Sequence, residues 1–389
     1  MVLSVTFARR WRTEACLLPL KGKADALCSQ FLGAIDHGDD FVAGRRLAGG
    51  FGMDGEAKGE ETLKVAVVGA TGVVGQEMLQ LLETSPLGAE APHLLASSRS
   101  AGQKVAWRGE ELTVLPLDEN ADLGGLDVFL LAAGSKTARQ WAPRFVAAGA
   151  VVVDNSSAFR LVDEIPLVVP EVNPEMIPIG PGIIANPNCS TIILLLALKP
   201  LWNLKPKRII ADTYQAVSGA GRSGLDALER EGSGGEFRVG DPFPFPIAGN
   251  LFPSIGTVDD EGVTLEERKM LDETRKILSA PDIVVQGTCV RVPVARCHSI
   301  ALNLLFDESD PTRLDQAIEL LREAPGIQFH EDPESPPTPG PLAGVHSVSV
   351  GRVRAPFDDS LQLWVVGDQI LKGAALNTVQ IAELWSAKN

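Results

Sequence analysis

The sequence predicts an α/β protein: a Rossmann-like domain joined to an α+β domain whose sheet is mixed but largely antiparallel. Three observations carry this expectation. From Leu63 onward, short apolar runs alternate with helical periodicity: LKVAVVG, a helix from near Val73, then HLLASS, VFLLAAG and AVVVDNSS, the texture of a parallel sheet buried on both faces. A turn with glycine at every third position, Gly69-Ala70-Thr71-Gly72-Val73-Val74-Gly75, stands where the first strand meets the first helix. Beyond GIIANPNC and an apolar helix from near Ser190, the strands lengthen and alternate, as in RIIADTYQAV, TCVRVPVARCHSIALNLLF, VHSVSVGRVR and LQLWVVG, the pattern of sheets with one face packed.

A chain of 389 residues exceeds what one hydrophobic core usually serves, which fits two domains. The first is expected over residues 63–189 plus the C-terminal segment 368–389, where Ile370 to Trp385 has helical periodicity. The second is expected over residues 190–367. Its helices include Thr264–Leu278, opened by a Thr264/Glu267 capping box, and Pro311–Glu323. EDPESPPTPGPLAG reads as a proline-rich loop. Residues 1–62 have no sustained period and are expected to form a weakly structured extension. Arg9, Arg10 and Arg12 resemble the start of a transit peptide, Glu14, Asp25, Asp36, Asp39 and Asp40 oppose that reading, and Met53 offers an alternative beginning.

The formal net charge of −15 would repel a phosphate backbone, so neither nucleic acid nor an anionic membrane surface is an expected partner. A small anionic substrate then needs a local cationic pocket. The longest apolar run, Ile192 to Leu198, is too short for a membrane span. The five cysteines, Cys16, Cys28, Cys189, Cys289 and Cys297, are odd in number and lack metal-ligand spacing, which argues against a disulfide framework or metal site and for a reducing compartment. The expected location is the cytoplasm, or a plastid if the extension is a transit peptide.

The glycine turn suits a pyrophosphate, because backbone N–H groups and a helix N-terminus converge there. The residues involved are Gly69, Thr71, Gly72, Val73, Val74 and Gly75. After the second strand, where an NAD enzyme usually carries an acidic residue, stand Ser97, Ser98, Arg99 and Ser100. Hydroxyls and a guanidinium suit a 2′-phosphate, so the expected cofactor is NADP(H). Cys189 lies between Asn186-Pro187-Asn188 and the apolar helix, where the positive end of a helix dipole is expected to lower its pKa.

The segments GATGVVG, SSRSAG, DNSSAFR, PNCST, TYQAVSGAG, RCHS and KGAALNTVQIAE occur in one order over residues 63–389, and together they resemble aspartate-β-semialdehyde dehydrogenases. The resemblance implies NADPH-dependent reductive dephosphorylation of β-aspartyl phosphate to L-aspartate-β-semialdehyde through a cysteine thioester, a step in lysine, methionine and threonine biosynthesis. It makes Cys189 the nucleophile, His298 the general acid and base, and Gln215 a group that orients substrate. It assigns Arg291 to the substrate α-carboxylate, Glu266 to its amino group, and Arg160, Lys269 and Asn188 to phosphate. Ser218, Gly219 and Asn377 join the cofactor contacts. A homodimer formed through the second domain is expected. Cys289 and Cys297 read as packing residues.

Arg291 and His298 raise a problem of parity: an unbroken strand would point them to opposite faces. An irregularity near Pro293 is therefore expected. The rivals are a reductase of the same plan acting on another acyl phosphate, such as N-acetyl-γ-glutamyl phosphate or glyceraldehyde-3-phosphate chemistry run in reverse, and a non-catalytic NADP-binding module.

Overall fold

The computed structural model describes residues 62–121 and 123–389, so the expectation for the N-terminal extension lies outside the described residues. Among the described residues eight strands come first: β1 (Val65–Val68), β2 (His93–Ala96), β3 (Lys104–Trp107), β4 (Glu110–Thr113), β5 (Leu115–Pro116), β6 (Val128–Leu131), β7 (Val151–Asp154) and β8 (Gly182–Ala185). Strands β3 and β4 form a separate hairpin. The others make a six-stranded parallel sheet in the order β5-β2-β1-β6-β7-β8. Strands β1, β6 and β7 are buried at every position, as uninterrupted apolar runs demand when helices cover both faces. The order reverses between β1 and β6, and in open parallel sheets ligands bind beyond the strand ends at such a reversal.

Helix α1 (Val73–Leu82) follows β1, and α2 (Ser135–Ala147) follows β6. Helix α3 (Cys189–Leu198) follows β8 and is buried from Ser190 to its end, in keeping with a sequence that is apolar all round. It lies in the core of the second sheet, together with Ile209, Leu302, Val350 and Leu363. Cys189 is its first residue, which puts the thiol at the junction of the two sheets.

The second unit contains β9 (Arg208–Gln215), α4 (Arg222–Gly232), α5 (Leu265–Ile277), β10 (Val284–Gln286), β11 (Cys289–Arg291), β12 (His298–Leu305), α6 (Arg313–Arg322), β13 (Ile327–His330), α7 (Pro339–Leu342), β14 (Val348–Arg354) and β15 (Ser360–Gly367). Its sheet runs β10-β9-β12-β15-β14-β13, with β11 also on β9. The central ladder β9-β12-β15-β14 is antiparallel, while β10, β11 and β13 pair in parallel at the two edges. The expected mixed sheet is present. The proline-rich segment contributes the short helix α7 rather than loop alone.

The segment from Cys289 to Leu305, expected to run as one strand with a local irregularity, is two strands of opposite direction. Strand β11 runs parallel to β9 and ends with Arg291 opposite Gln215; β12 runs antiparallel to β9 and places Ser299 opposite Tyr214. Between them, residues 292–297 pass around the end of β9. Val292 N–H donates to Gln215 O at 3.0 Å, and Val217 N–H to Val294 O at 2.8 Å. Cys297 completes the reversal at φ +73°, a left-handed conformation that a non-glycine residue adopts only where its surroundings fix it. The parity objection disappears, because Arg291 and His298 belong to strands on either side of the same neighbour.

The last helix, α8 (Leu376–Ser386), returns to the first sheet: Val379, Ile381, Ala382 and Trp385 share a core with Val65, Met78 and Val128. No helix among the described residues is long and apolar enough to cross a membrane.

Helix α5 has the expected capping box. Thr264 Oγ1 accepts from Glu267 N–H at 3.3 Å, and Glu267 Oε2 accepts from Thr264 N–H at 2.8 Å. The second oxygen of Glu267 accepts from Cys289 N–H at 3.0 Å, tying the helix start to β11. Thr264→Ala is expected to cost about 1 kcal/mol, the typical worth of such a cap, read as a lower urea midpoint with an unchanged denaturant slope.

Candidate active site

Two regions gather the candidate residues. The first is a cavity of about 610 Å³ beyond the ends of β1 and β6, lined by Gly69, Thr71, Gly72, Ser97, Arg99, Ser100, Ala132 and Trp141 among others. Gly69 sits at φ +85°, and a Cβ there would lie 2.8 Å from Ala132 O; a Cβ at Gly75 would lie 2.3 Å from Gly69 O. The loop closes only with glycine at these points, and it leads into the N-terminus of α1, whose first-turn residues Val73, Val74 and Gly75 are not among the residues lining the cavity. Thr71 Oγ1 and Ser100 Oγ are 3.2 Å apart, joining the glycine turn to the segment after β2. Val73, Val74 and Gly75 form the first turn of α1. The donors, the shape and the exposed Arg99 fit a dinucleotide with a 2′-phosphate.

The second region is built on Cys189. Asn188 caps α3: its Oδ1 accepts from Ser190 N–H at 3.0 Å and Thr191 N–H at 3.4 Å. Its Nδ2 donates to Glu266 Oε1 at 2.9 Å, and its backbone N–H donates to Glu273 Oε2 at 2.6 Å. Asn188 is thereby committed to fixing the turn before the nucleophile. Glu266, on α5, also accepts from Lys269 Nζ at 3.0 Å and Gln215 Nε2 at 3.4 Å. Glu266 is 7% exposed, so its spacing with Lys269 is not an ordinary surface pair.

Arg291 and His298 flank the peptide of Ala216, at the end of β9. Arg291 Nη1 donates to Ala216 O at 2.5 Å, while Ala216 N–H donates to His298 Nδ1 at 3.0 Å. A Cβ on Gly219 would lie 2.8 Å from Arg291 Nη1 and 3.5 Å from His298 Cε1, so glycine allows the backbone against both. Because Nδ1 accepts, the neutral imidazole carries its proton on Nε2. Nε2 is buried without a partner among the described residues. Burial, and then the charge of Arg291, holds the imidazole well below its usual pKa, so it is neutral at pH 7.

Several expectations change. The Cys189 thiol is pushed up to about 11, not lowered: burial raises it, the Glu266 carboxylate adds to this, and Arg160, Arg291 and Lys269 oppose without prevailing. Arg160 is no free phosphate cation. Its Nε donates to Asn186 O at 2.9 Å, Nη2 to Asn155 O at 2.8 Å, and Nη1 to Glu273 Oε1 at 3.1 Å. Lys269 keeps its remaining donors. Ser218, Gly219 and Asn377 do not line the glycine-loop cavity. Ser218 donates to Ala295 O and accepts from Gln369 Nε2, each at 2.5 Å. Asn377 is wholly buried and donates to Val168 O at 3.1 Å and Asn186 Oδ1 at 2.7 Å.

Glu273 escaped the sequence reading. It is buried beneath Asn188 and Arg160, and its position three and seven residues beyond Met270 and Glu266 was the available signal, since this spacing shares one helical face. Among the described residues Cys189, Cys289 and Cys297 are free thiols, and no cluster of three or more His, Cys, Asp or Glu could hold a metal.

Residues 64–178 match the family model described as semialdehyde dehydrogenase, NAD binding domain, and residues 198–372 match semialdehyde dehydrogenase, dimerisation domain. The chain is similar to the aspartate-semialdehyde dehydrogenase of Synechocystis sp., with 46% identity over 330 residues that span 83% of this chain and 97% of that protein. It is similar in structure to aspartate semialdehyde dehydrogenase II from Vibrio cholerae complexed with ASA (TM-score 0.79, 40% identity, 84% of this chain and 99% of that one). It also resembles the aspartate semialdehyde dehydrogenase with NADP from Candida albicans (TM-score 0.67, 28% identity, 84% and 99%).

The thiol's electrostatics give a direct test. Alkylation by iodoacetamide should accelerate with pH past about pH 10 without a plateau, since the thiolate fraction keeps rising toward a pKa of about 11. In Glu266→Gln the same reaction should run about tenfold faster near pH 8, because one like charge beside the thiol is removed. An unchanged or slower rate would contradict the assigned influence of Glu266.

Proposed function

The chain belongs to the aspartate-semialdehyde dehydrogenase family, and we propose that it uses NADPH to convert β-aspartyl phosphate to L-aspartate-β-semialdehyde through a thioester on Cys189. The observation that carries this reading is a cysteine at the start of a helix under the charges of Glu266, Arg291, Lys269 and Arg160, with Arg291 joined through Ala216 to an imidazole whose Nε2 is free, a set suited to an amino-acid acyl phosphate. NADPH supplies a hydride when bound, and the cavity at the glycine turn, with Arg99 at its rim, is the site proposed for it.

The chain's own groups divide the remaining work. Arg291 uses one of its donors on Ala216 O and offers the rest to the substrate α-carboxylate, a planar match. Glu266 takes the substrate ammonium, which neutralises the carboxylate that holds the thiol protonated. Lys269 faces the phosphate, while Arg160 adds positive charge from behind and keeps the Asn186-Pro187-Asn188 turn in place. Gln215, anchored by its Nε2 on Thr213 Oγ1 at 3.2 Å, leaves its oxygen for the substrate.

Attack by Cys189 on the acyl carbon forms the C–S bond and breaks the bond to phosphate, and the thiol proton leaves with the departing phosphate. Reduction of the thioester then places negative charge on the former carbonyl oxygen. His298, with Nδ1 held by Ala216 N–H, keeps its Nε2 proton and donates a hydrogen bond from Nε2–H to that oxygen, stabilising the charge. Collapse of that oxyanion as the C–S bond breaks releases aldehyde and thiolate, and the thiolate takes up a proton from solvent.

The reading includes a homodimer formed through the segment matching the dimerisation domain. Its proposed division is a cofactor domain of residues 63–189 plus 368–389 and a catalytic domain of residues 190–367. The cytoplasm is its proposed compartment.

The direct assay follows NADP⁺ reduction with L-aspartate-β-semialdehyde in the presence and absence of inorganic phosphate. NADPH formation should require phosphate and should fall to background in Cys189→Ala, with cofactor binding retained. Turnover of N-acetylglutamate semialdehyde or glyceraldehyde-3-phosphate instead would keep the chemistry and overturn the substrate. Arg99→Ala should raise KM for NADP⁺ by about tenfold while leaving the weaker use of NAD⁺ unchanged, the loss expected for one guanidinium on a phosphate.

A further inference from the structure

Behind Cys189 the chain departs from regular helix. Residues Leu371–Ala375 form a π-turn between β15 and α8, with Gly373 N–H donating to Asp368 O at 3.0 Å and Ala375 N–H to Ile370 O at 2.9 Å. Such an inserted residue weakens the local ladder and is commonly associated with functional positions. Here it carries the backbone of residue 373 against the nucleophile. A Cβ built on Gly373 would lie 2.9 Å from Cys189 Cβ, 3.3 Å from Cys189 Cα and 3.4 Å from Gln369 Cβ. The first distance is closer than real Cβ atoms come to any neighbour.

The turn is held from both ends. Asp368 Oδ1 accepts from Ile370 N–H at 3.0 Å and Leu371 N–H at 3.2 Å, and its other oxygen accepts from Arg296 Nε at 2.5 Å and Gly344 N–H at 2.8 Å. Lys372, 1% exposed, donates from its ammonium to Glu171 Oε2 at 2.7 Å, Gln380 Oε1 at 2.7 Å and Asn377 Oδ1 at 3.0 Å. All three ammonium hydrogens are used, which is what burying a lysine requires. Asn377 in turn donates to Asn186, in the turn that precedes Cys189.

From these contacts we infer that Gly373 is a positioning residue for the nucleophile: its bare backbone, fixed by the Lys372 tether, presses on Cys189 and fixes where the thiol stands. The inference rests on Cys189 being the nucleophile of the proposed reaction. A methyl group at 373 must displace either the start of α3 or the π-turn, and a displacement approaching 1 Å at a reacting atom costs up to about a hundredfold in rate.

The test combines kinetics with a double-mutant cycle. Gly373→Ala should lower kcat by about tenfold or more while KM for the aldehyde moves by less than about threefold, since Arg291 and Glu266 are untouched. Thermal unfolding is then measured for Gly373→Ala in the wild-type background and in Cys189→Gly, where the opposing Cβ is gone. The drop in Tm caused by Gly373→Ala should shrink by about half or more in the Cys189→Gly background. Should Gly373→Ala alone fail to fold, recovery of a folded Cys189→Gly/Gly373→Ala double variant supports the inference, and failure of both overturns it. Equal Tm losses in the two backgrounds, or a kcat within about twofold of wild type, also overturn it. The unfolding cycle reads the contact itself, so it stands or falls independently of the substrate; turnover persisting in Cys189→Ala would instead sink the proposed reaction.

Discussion

Two carboxylates from one helix grip the residue before the nucleophile, and the rest of the site is arranged around that grip. Glu266 takes the side chain of Asn188 and Glu273 takes its backbone N–H, so the turn that starts α3 is fastened to α5 across the junction of the two sheets. Burying two carboxylates is costly unless each is paired and hydrogen-bonded. Arg160 answers Glu273, Lys269 answers Glu266, and Gln215 adds a further donor. Burial and the neighbouring Glu266 push Glu273 upward against the pull of Arg160, whereas for Glu266 burial is outweighed by Lys269 and the hydrogen bonds from Asn188, Lys269 and Gln215. The outer carboxylate is therefore the firmly ionised one, as befits the member facing a substrate ammonium.

The end of β9 supplies the second fixed point. Ala216, the residue after it, is gripped on both sides, its carbonyl by Arg291 and its N–H by His298. The backbone of one residue thus sets the spacing between the Arg291 guanidinium and the His298 imidazole, and it selects the imidazole tautomer as well. The left-handed Cys297 and the loop around β9 are the structural cost of that arrangement. Gln369 stabilises it by accepting from Cys297 N–H at 2.8 Å and donating to Ser218 Oγ.

Much of this was legible in the sequence where local chemistry dominates. The alternation of apolar runs and the glycine turn pointed to the parallel sheet, the Asn-Pro-Asn-Cys order placed the thiol at the start of an apolar helix, and the Thr264/Glu267 pair marked the boundary of α5. What escaped depends on how distant segments meet. Arg160 looked like a free cation because its buried partner Glu273 lies far along the chain. Cys189 looked activated because a helix N-terminus is visible in sequence, whereas the depth of burial and the approach of Glu266 are not. The residues from Cys289 to Leu305 looked like one strand because alternation is the same whether a chain continues or doubles back. The π-turn at Leu371–Ala375 was hidden for a related reason: one inserted residue scarcely disturbs the apolar period on either side.

The raised thiol pKa is consistent with catalysis once the ligand is counted as part of the electrostatics. In the ligand-free pocket, burial and Glu266 outweigh three cations, and the thiol stays protonated. A protonated thiol, here partly exposed, resists oxidation and adventitious alkylation, because the thiolate is the reactive form. In the proposed reaction the substrate ammonium offsets Glu266, while the substrate carboxylate and phosphate draw on Arg291 and Lys269, so Arg160 is the cation whose pull on the thiol persists. In that proposal a ligand without an amino group would leave Glu266 balanced by Lys269 alone and the thiol harder to ionise. A lowered pKa in the empty site would give a more reactive cysteine, but one that does not distinguish its substrate from other electrophiles.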